Sequence, residues 1–167
     1  MEQEKYQTAL HEAAHAVVQF RVTGDFCGEV SIVPGNGNLG FVTDYSTDSS
    51  SPEDLQARVL SCFAGGEADR LIGCFNEHAV AGDEEAASEC LALLGISNAA
   101  EIDALRKTAG KIVKDNWSDI QAVANELVLH ETLDDTEVVS IIEMQNSSDP
   151  DTVKAGLDRY RADFLNR

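Results

Sequence analysis

Residues 11 to 15 read His11-Glu12-Ala13-Ala14-His15 and lie inside the apolar run Ala9 to Phe20. On a helix, two histidines four residues apart stand one turn above each other on a single face. Their imidazoles can then converge on one metal ion. Glu12, between them, is placed to act on a water at that metal as general base. Zinc is the ion such a pair usually selects, and a catalytic zinc site keeps one coordination position open for water. Tyr6, Ala9, Leu10, Ala13, Ala14, Val17, Val18 and Phe20 supply an apolar face around the motif. The expected helix covers residues 4 to 22 and ends at Thr23-Gly24-Asp25.

Beyond it, Glu29 to Val33 alternates polar and apolar residues as a half-buried strand does. Pro34-Gly35-Asn36-Gly37-Asn38 is turn chemistry, and Leu39 to Tyr45 forms a second strand, giving a small antiparallel hairpin. Ser46 to Ser51 is a polar loop. Ser51-Pro52-Glu53-Asp54 then combines an N-cap, a proline in the first turn and early carboxylates, opening a helix that runs to about Ile72. Gly65 and Gly66 in its middle cost helix propensity, so close packing against another backbone is expected there. Further helices are read at Asp83 to Leu94, Ala99 to Asn116 and Trp117 to His130. The last two are expected to face each other through Ile102, Leu105, Ile112 and Val113 against Ile120, Val123, Leu127 and Val128. Leu133-Asp134-Asp135-Thr136-Glu137 signals another helix start, and Asp149-Pro150-Asp151 caps a final segment ending at Arg167. The fold class is mainly α (α+β), with one small hairpin or sheet.

The 167 residues fit a single domain with a real core. Thirty acidic against 12 basic residues give a net charge of −18, which excludes nucleic acid and anionic membrane as partners, since both require a basic face. No stretch approaches the length of a membrane span. Met1-Glu2-Gln3-Glu4 lacks the basic region of a signal peptide, so a cytoplasmic protein is expected. Cys27, Cys62, Cys74 and Cys90 show no C-x-x-C spacing, as reduced thiols would. No G-x-x-x-x-G-K-[ST] is present, so the chain carries no nucleotide-driven motor.

Two histidines leave a catalytic zinc site one protein ligand short. Residues 16 to 30 hold no further histidine, excluding an elongated H-E-x-x-H-x-x-G-x-x-H site. His78 lies close to a loop. His130 ends a helix, where binding to terminal carbonyls is the plainer role. Cys74 and His78 share an i, i+4 spacing but lack companions for a structural site. Carboxylates at Glu67, Asp69, Glu77, Asp83, Glu84 and Glu85 are all within reach, and spacing does not choose among them.

Several stretches resemble, in order, the peptidase domain of FtsH-type zinc metalloproteases. Thr8 to Val18 is similar to the H-E-A-G-H-A-V-V signature, with Ala14 in place of the glycine. Val30-Ser31-Ile32-Val33-Pro34 and Leu39-Gly40-Phe41 resemble V-S-I-x-P and L-G-Y. Ala64 to Asp69 resembles A-G-R-A-A-E, Ala81 to Ala87 a degraded G-A-x-x-D-x-x-x-A, and Leu127 to Ile142 the closing L-L-E-x-E-T-L-x-x-x-E segment. The likeness covers residues 4 to 143, with 146 to 167 a tail beyond it.

The resemblance implies zinc held by His11, His15 and Asp83, Asp83 standing where the family's aspartate ligand does, with Glu12 as the catalytic base. It implies that Leu39, Gly40, Phe41, Val42 and Thr43 form a sheet edge that pairs with an extended substrate. The membrane segment and ATPase ring of the family have no counterpart here. The expectation is therefore an ATP-independent metalloendopeptidase that hydrolyses flexible or unfolded polypeptides with a zinc-activated water. The alternative is a non-catalytic zinc-binding adaptor or regulator that retains the fold. Family peptidase domains form hexamers, but the ATPase part that helps build those rings has no counterpart here, so a homo-oligomer and a monomer both stay open, and a separate ATPase is a conceivable partner.

Overall fold

The computed structural model describes residues 2–34, 40–44 and 51–165. It is mainly helical with one small sheet. In chain order the elements are α1 (Glu2–Thr23), β1 (Gly28–Ser31), β2 (Phe41–Asp44), α2 (Pro52–Ile72), α3 (Ala81–Leu94), α4 (Ala99–Asp115), α5 (Trp117–His130), β3 (Thr132–Asp134), α6 (Asp135–Asn146) and α7 (Pro150–Leu165). The tight turn expected over 35–38, the loop over 46–50, and Leu39 and Tyr45 fall outside the described residues.

Helix α1 is central because it is apolar on almost every side. Ala9, Leu10, Ala13, Ala14, Ala16, Val17 and Val18 are all buried, so it packs on α2 along one side and on α5 along another. Helix α2 is delimited as its sequence demands. The Ser51 hydroxyl accepts the Asp54 N–H, Pro52 occupies the first turn, and Gly73 closes the helix in the left-handed region at φ 75°.

The sheet has three strands in the order β2-β1-β3, both pairings antiparallel. Val30 stands opposite Val42 on one side and Leu133 on the other. The hairpin of the sequence reading is thus extended by Thr132–Asp134, which was read only as a helix start. Both roles meet at Asp134. It ends β3 and also forms a capping box with Glu137 at the start of α6. Glu131, the one described non-glycine residue with positive φ (65°), makes the turn into β3. Its carbonyl accepts the Ile32 N–H at 2.9 Å, which continues the pairing of β1.

Helices α4 and α5 do not pack face to face as expected. Instead α4 lies on α2 and α5 on α1, because the two long helices offer the larger apolar surfaces. The main core is closed by Ile120, Val123 and Leu127 of α5, Leu133 of β3, and Val138, Ile141 and Ile142 of α6, all buried. Buried Asp119 accepts hydrogen bonds from Arg21 and Asn146, which ties α1, α5 and α6 together. Tail helix α7 docks on α6 through buried Leu157, a Tyr160 hydroxyl bond to Asp134 and an Arg161 bond to Glu137 at 2.9 Å. All four cysteines are unpaired. No helix among the described residues is long and apolar enough to cross a membrane.

Candidate metal centre

His11, Glu12 and His15 project from the buried middle of α1 toward α2 and α3. The imidazole centroids are 4.8 Å apart with the rings inclined at 74°. Helix α2 meets this face with three residues spaced by four. The Ser61 carbonyl accepts His15 Nδ1–H at 2.7 Å, and Asp69 Oδ2 accepts His11 Nδ1–H at 2.9 Å. Gly65 lies between them, and the reason for a glycine there is steric. A Cβ at Gly65 would stand 2.5 Å from Nε2 of both His11 and His15. The close approach expected of this glycine is therefore made to two imidazoles rather than to a backbone. Gly66 faces elsewhere and would meet Val80 at an ordinary 3.4 Å.

With both Nδ1 atoms donating, loss of the Nε2 proton leaves the two Nε2 lone pairs facing the same point. Asp83, in the first turn of α3, brings its carboxylate there. Asp83 Oδ2 is 3.1 Å from His11 Nε2 and 3.4 Å from His15 Nε2. Ligand atoms of His11, His15 and Asp83 all lie within 4.8 Å of one another, and among the described residues this is the group that could hold a metal ion.

The electrostatics of the cluster favour a cation. Three carboxylates (Glu12, Asp69 and Asp83) surround two imidazoles in a largely buried site. Burial alone would lower the histidine pKa values. For His11 the hydrogen bonds to Asp69 and Asp83 outweigh it and push the pKa up to about 10. The nearby Asp83 charge likewise raises His15. Burial would raise Asp83, but the His15 charge and the bonds from both imidazoles hold it well below the usual carboxylate range. Glu12 is raised, chiefly by burial, against the opposing pull of the two imidazoles. A bound divalent ion would supply the positive charge that the protonated imidazoles otherwise provide.

A cavity of about 1420 Å³ opens onto these residues and runs past Gly40 and Val42 on one side and Arg58 and Cys62 on the other. Gly40 is pressed against Glu12: a Cβ there would lie 2.6 Å from Glu12 Oε1 and 2.8 Å from the Ser31 carbonyl. Phe41, Val42 and Thr43 belong to β2, an edge strand of the described sheet. Cys62 lines the cavity but stands outside the ligand group. Burial, with the Asp83 charge second, pushes its thiol up to about 12.

His78 lines the cavity but is exposed and stands outside the ligand group. Cys74 does not join it in a metal pair, because its thiol turns to Asp69 Oδ1 at 3.7 Å. His130 faces Glu126 at 3.4 Å, an i, i+4 contact along its own helix rather than a cap on terminal carbonyls. Two residues were missed by the sequence reading in the roles they hold: Ser61 and Asp69 as partners of the histidines. Their offsets of four on either side of Gly65 were the available signal.

No protein-family model matches the chain, and no curated protein matches it either.

Proposed function

We propose that the chain is an ATP-independent zinc metalloendopeptidase of the FtsH peptidase type, working as a soluble cytoplasmic enzyme on flexible or unfolded polypeptides. The observation that carries this reading is the convergence of His11 Nε2, His15 Nε2 and Asp83 Oδ2 beside a buried glutamate. His11, His15 and Asp83 would hold the ion, their imidazole-to-carboxylate separations being 3.1 and 3.4 Å. The donor set of two imidazoles and one carboxylate is that of hydrolytic zinc sites with an open fourth position. The Nδ1 bonds to Asp69 and Ser61 fix the ring tautomers as metal-ligating histidines require.

When bound, zinc would supply Lewis acidity, lowering the pKa of a water and polarising a carbonyl. The protein's own residues account for the remainder. Glu12, its pKa raised by burial, takes the proton from the attacking water and returns it to the departing amine. Gly40, lacking a side chain, lets the strand backbone approach Glu12. The β2 edge offers main-chain donors and acceptors to an extended substrate. Such pairing reads little sequence and suits unfolded chains.

Casein digestion by zinc-loaded protein without ATP, run beside Glu12→Gln with zinc content measured in both, tests the proposal. Cleavage by the parent, falling about a thousandfold in the variant at equal zinc, is expected. Two zinc-loaded proteins that both fail to cleave would put the non-catalytic adaptor in its place. Absence of zinc from both would overturn the site itself.

A further inference from the structure

The cavity that holds the His11, His15 and Asp83 cluster continues along α2 to Arg58. Most cations of this acidic chain are already engaged. Lys5, the other lysine or arginine among the described residues that line the cavity, pairs with Glu131 at 2.9 Å. Arg21, Arg70, Arg106 and Arg161 each hold a carboxylate. Arg58 is exposed and has no carboxylate partner among the described residues. Asp54, one turn earlier, is bound by the Ser51 hydroxyl at 2.6 Å in the helix cap. Arg58 also precedes Gly65, the point of closest approach to the histidines, by two helical turns, which is about 10 Å along the axis. An extended peptide covers that distance in about three residues.

We propose that Arg58 determines substrate specificity by binding a carboxylate about three residues from the scissile bond, an inference that rests on the peptidase reading above. A guanidinium presents paired N–H donors that match a carboxylate in bidentate geometry. The net charge of −18 repels acidic chains at long range, so an acidic group is favoured only where it reaches this contact. The carboxylate can come from an Asp or Glu side chain or from the substrate's own C-terminus.

Quenched fluorescent peptides, amidated at the C-terminus and carrying one Glu or its Gln counterpart at each position around the cleaved bond, would distinguish these sources from a second set of neutral peptides with a free C-terminus. The readouts are kcat/KM for the zinc-loaded protein and anisotropy binding to zinc-loaded Glu12→Gln. The parent is expected to prefer Glu over Gln about tenfold at one position. Arg58→Gln should abolish the preference, Arg58→Glu reverse it, and Arg58→Lys retain part of it, with helix content and zinc occupancy matched throughout. Dependence on Arg58 seen only with the free-terminus set would assign the carboxylate to the chain end. Cleavage with a Glu/Gln ratio of one, and no effect of a free C-terminus, would sink the Arg58 assignment and leave the peptidase standing. Arg58-dependent binding without any cleavage would overturn the peptidase and with it the placement relative to a scissile bond, leaving Arg58 a carboxylate-binding residue alone, and neither binding nor cleavage would overturn both.

Discussion

Where α1 meets α2, the two helices bury small residues and charge. Ala9, Ala13, Ala64, Gly65 and Ala68 lie there or nearby, with Glu12, His15 and Asp69 among the buried polar groups. Where α5, β3 and α6 close the other half, the buried residues are Ile120, Val123, Leu127, Leu133, Ile141 and Ile142. The first region gains closeness of backbones and convergent polar atoms, at the cost of desolvating several ionisable groups. The second gains apolar area, about 1.5–3 kcal/mol for each large side chain removed from water. The first region therefore carries the cluster of ionisable groups whose state depends on pH and metal, and the second is dominated by apolar burial.

Adjacent glycines give the sharpest way to break the contrast. Gly65→Ala puts a methyl group against both Nε2 atoms and should weaken zinc binding more than about 100-fold, measured by chelator competition. Gly66→Ala meets only ordinary contacts and should leave zinc binding intact while adding about 0.5–1 kcal/mol to stability. Equal effects at the two positions would mean that Gly65 is not the floor of the site. Leu127→Ala, in the apolar half, should cost about 2–5 kcal/mol in denaturant unfolding with unchanged zinc affinity per folded molecule. A loss of zinc affinity there would show that the halves are coupled. Asp69→Asn keeps the shape but removes the charge behind His11, and a 10- to 100-fold drop in zinc affinity is about what such partners are worth.

The same contrast responds to pH. The folded His11 pKa, about 10, lies above its unfolded value near 6.5. Its protonation stabilises the metal-free chain fully below pH 6.5, and that contribution is lost as pH rises toward 10. In chelator, the melting-temperature advantage of the parent over His11→Gln should therefore shrink from pH 6.5 to 10. Zinc must displace that proton, so zinc affinity should climb over the same range. An advantage that grows with pH would contradict the charge balance described for the cluster.

Much of this is legible in the sequence alone. The i, i+4 histidines, the Ser51-Pro52 cap and the apolar faces are local patterns, and local patterns fix helices well. Partners across space are another matter. Amphipathic faces announced α4 and α5 without saying that one packs on α2 and the other on α1. Six carboxylates between Glu67 and Glu85 satisfied the chemistry of a third ligand equally, and only a family likeness pointed to Asp83. The two glycines of α2 signalled a close approach, but nothing local distinguished Gly65 from Gly66 or named imidazoles as the neighbours. Thr132–Asp134 is too short for an alternation to register, and its Asp134 reads more loudly as a helix cap.

The middle position of β1 has a consequence in time. Its second neighbour, β3, is a hundred residues downstream, and α6, which completes the apolar half, follows later still. A polypeptide emerging from the ribosome displays His11, Glu12 and His15 early, while Asp83, the pairing strand and the closing helix are still to be translated. The hydrolytic centre proposed for this chain is thus complete only once Asp83, β3 and α6 have followed the two histidines out of the ribosome.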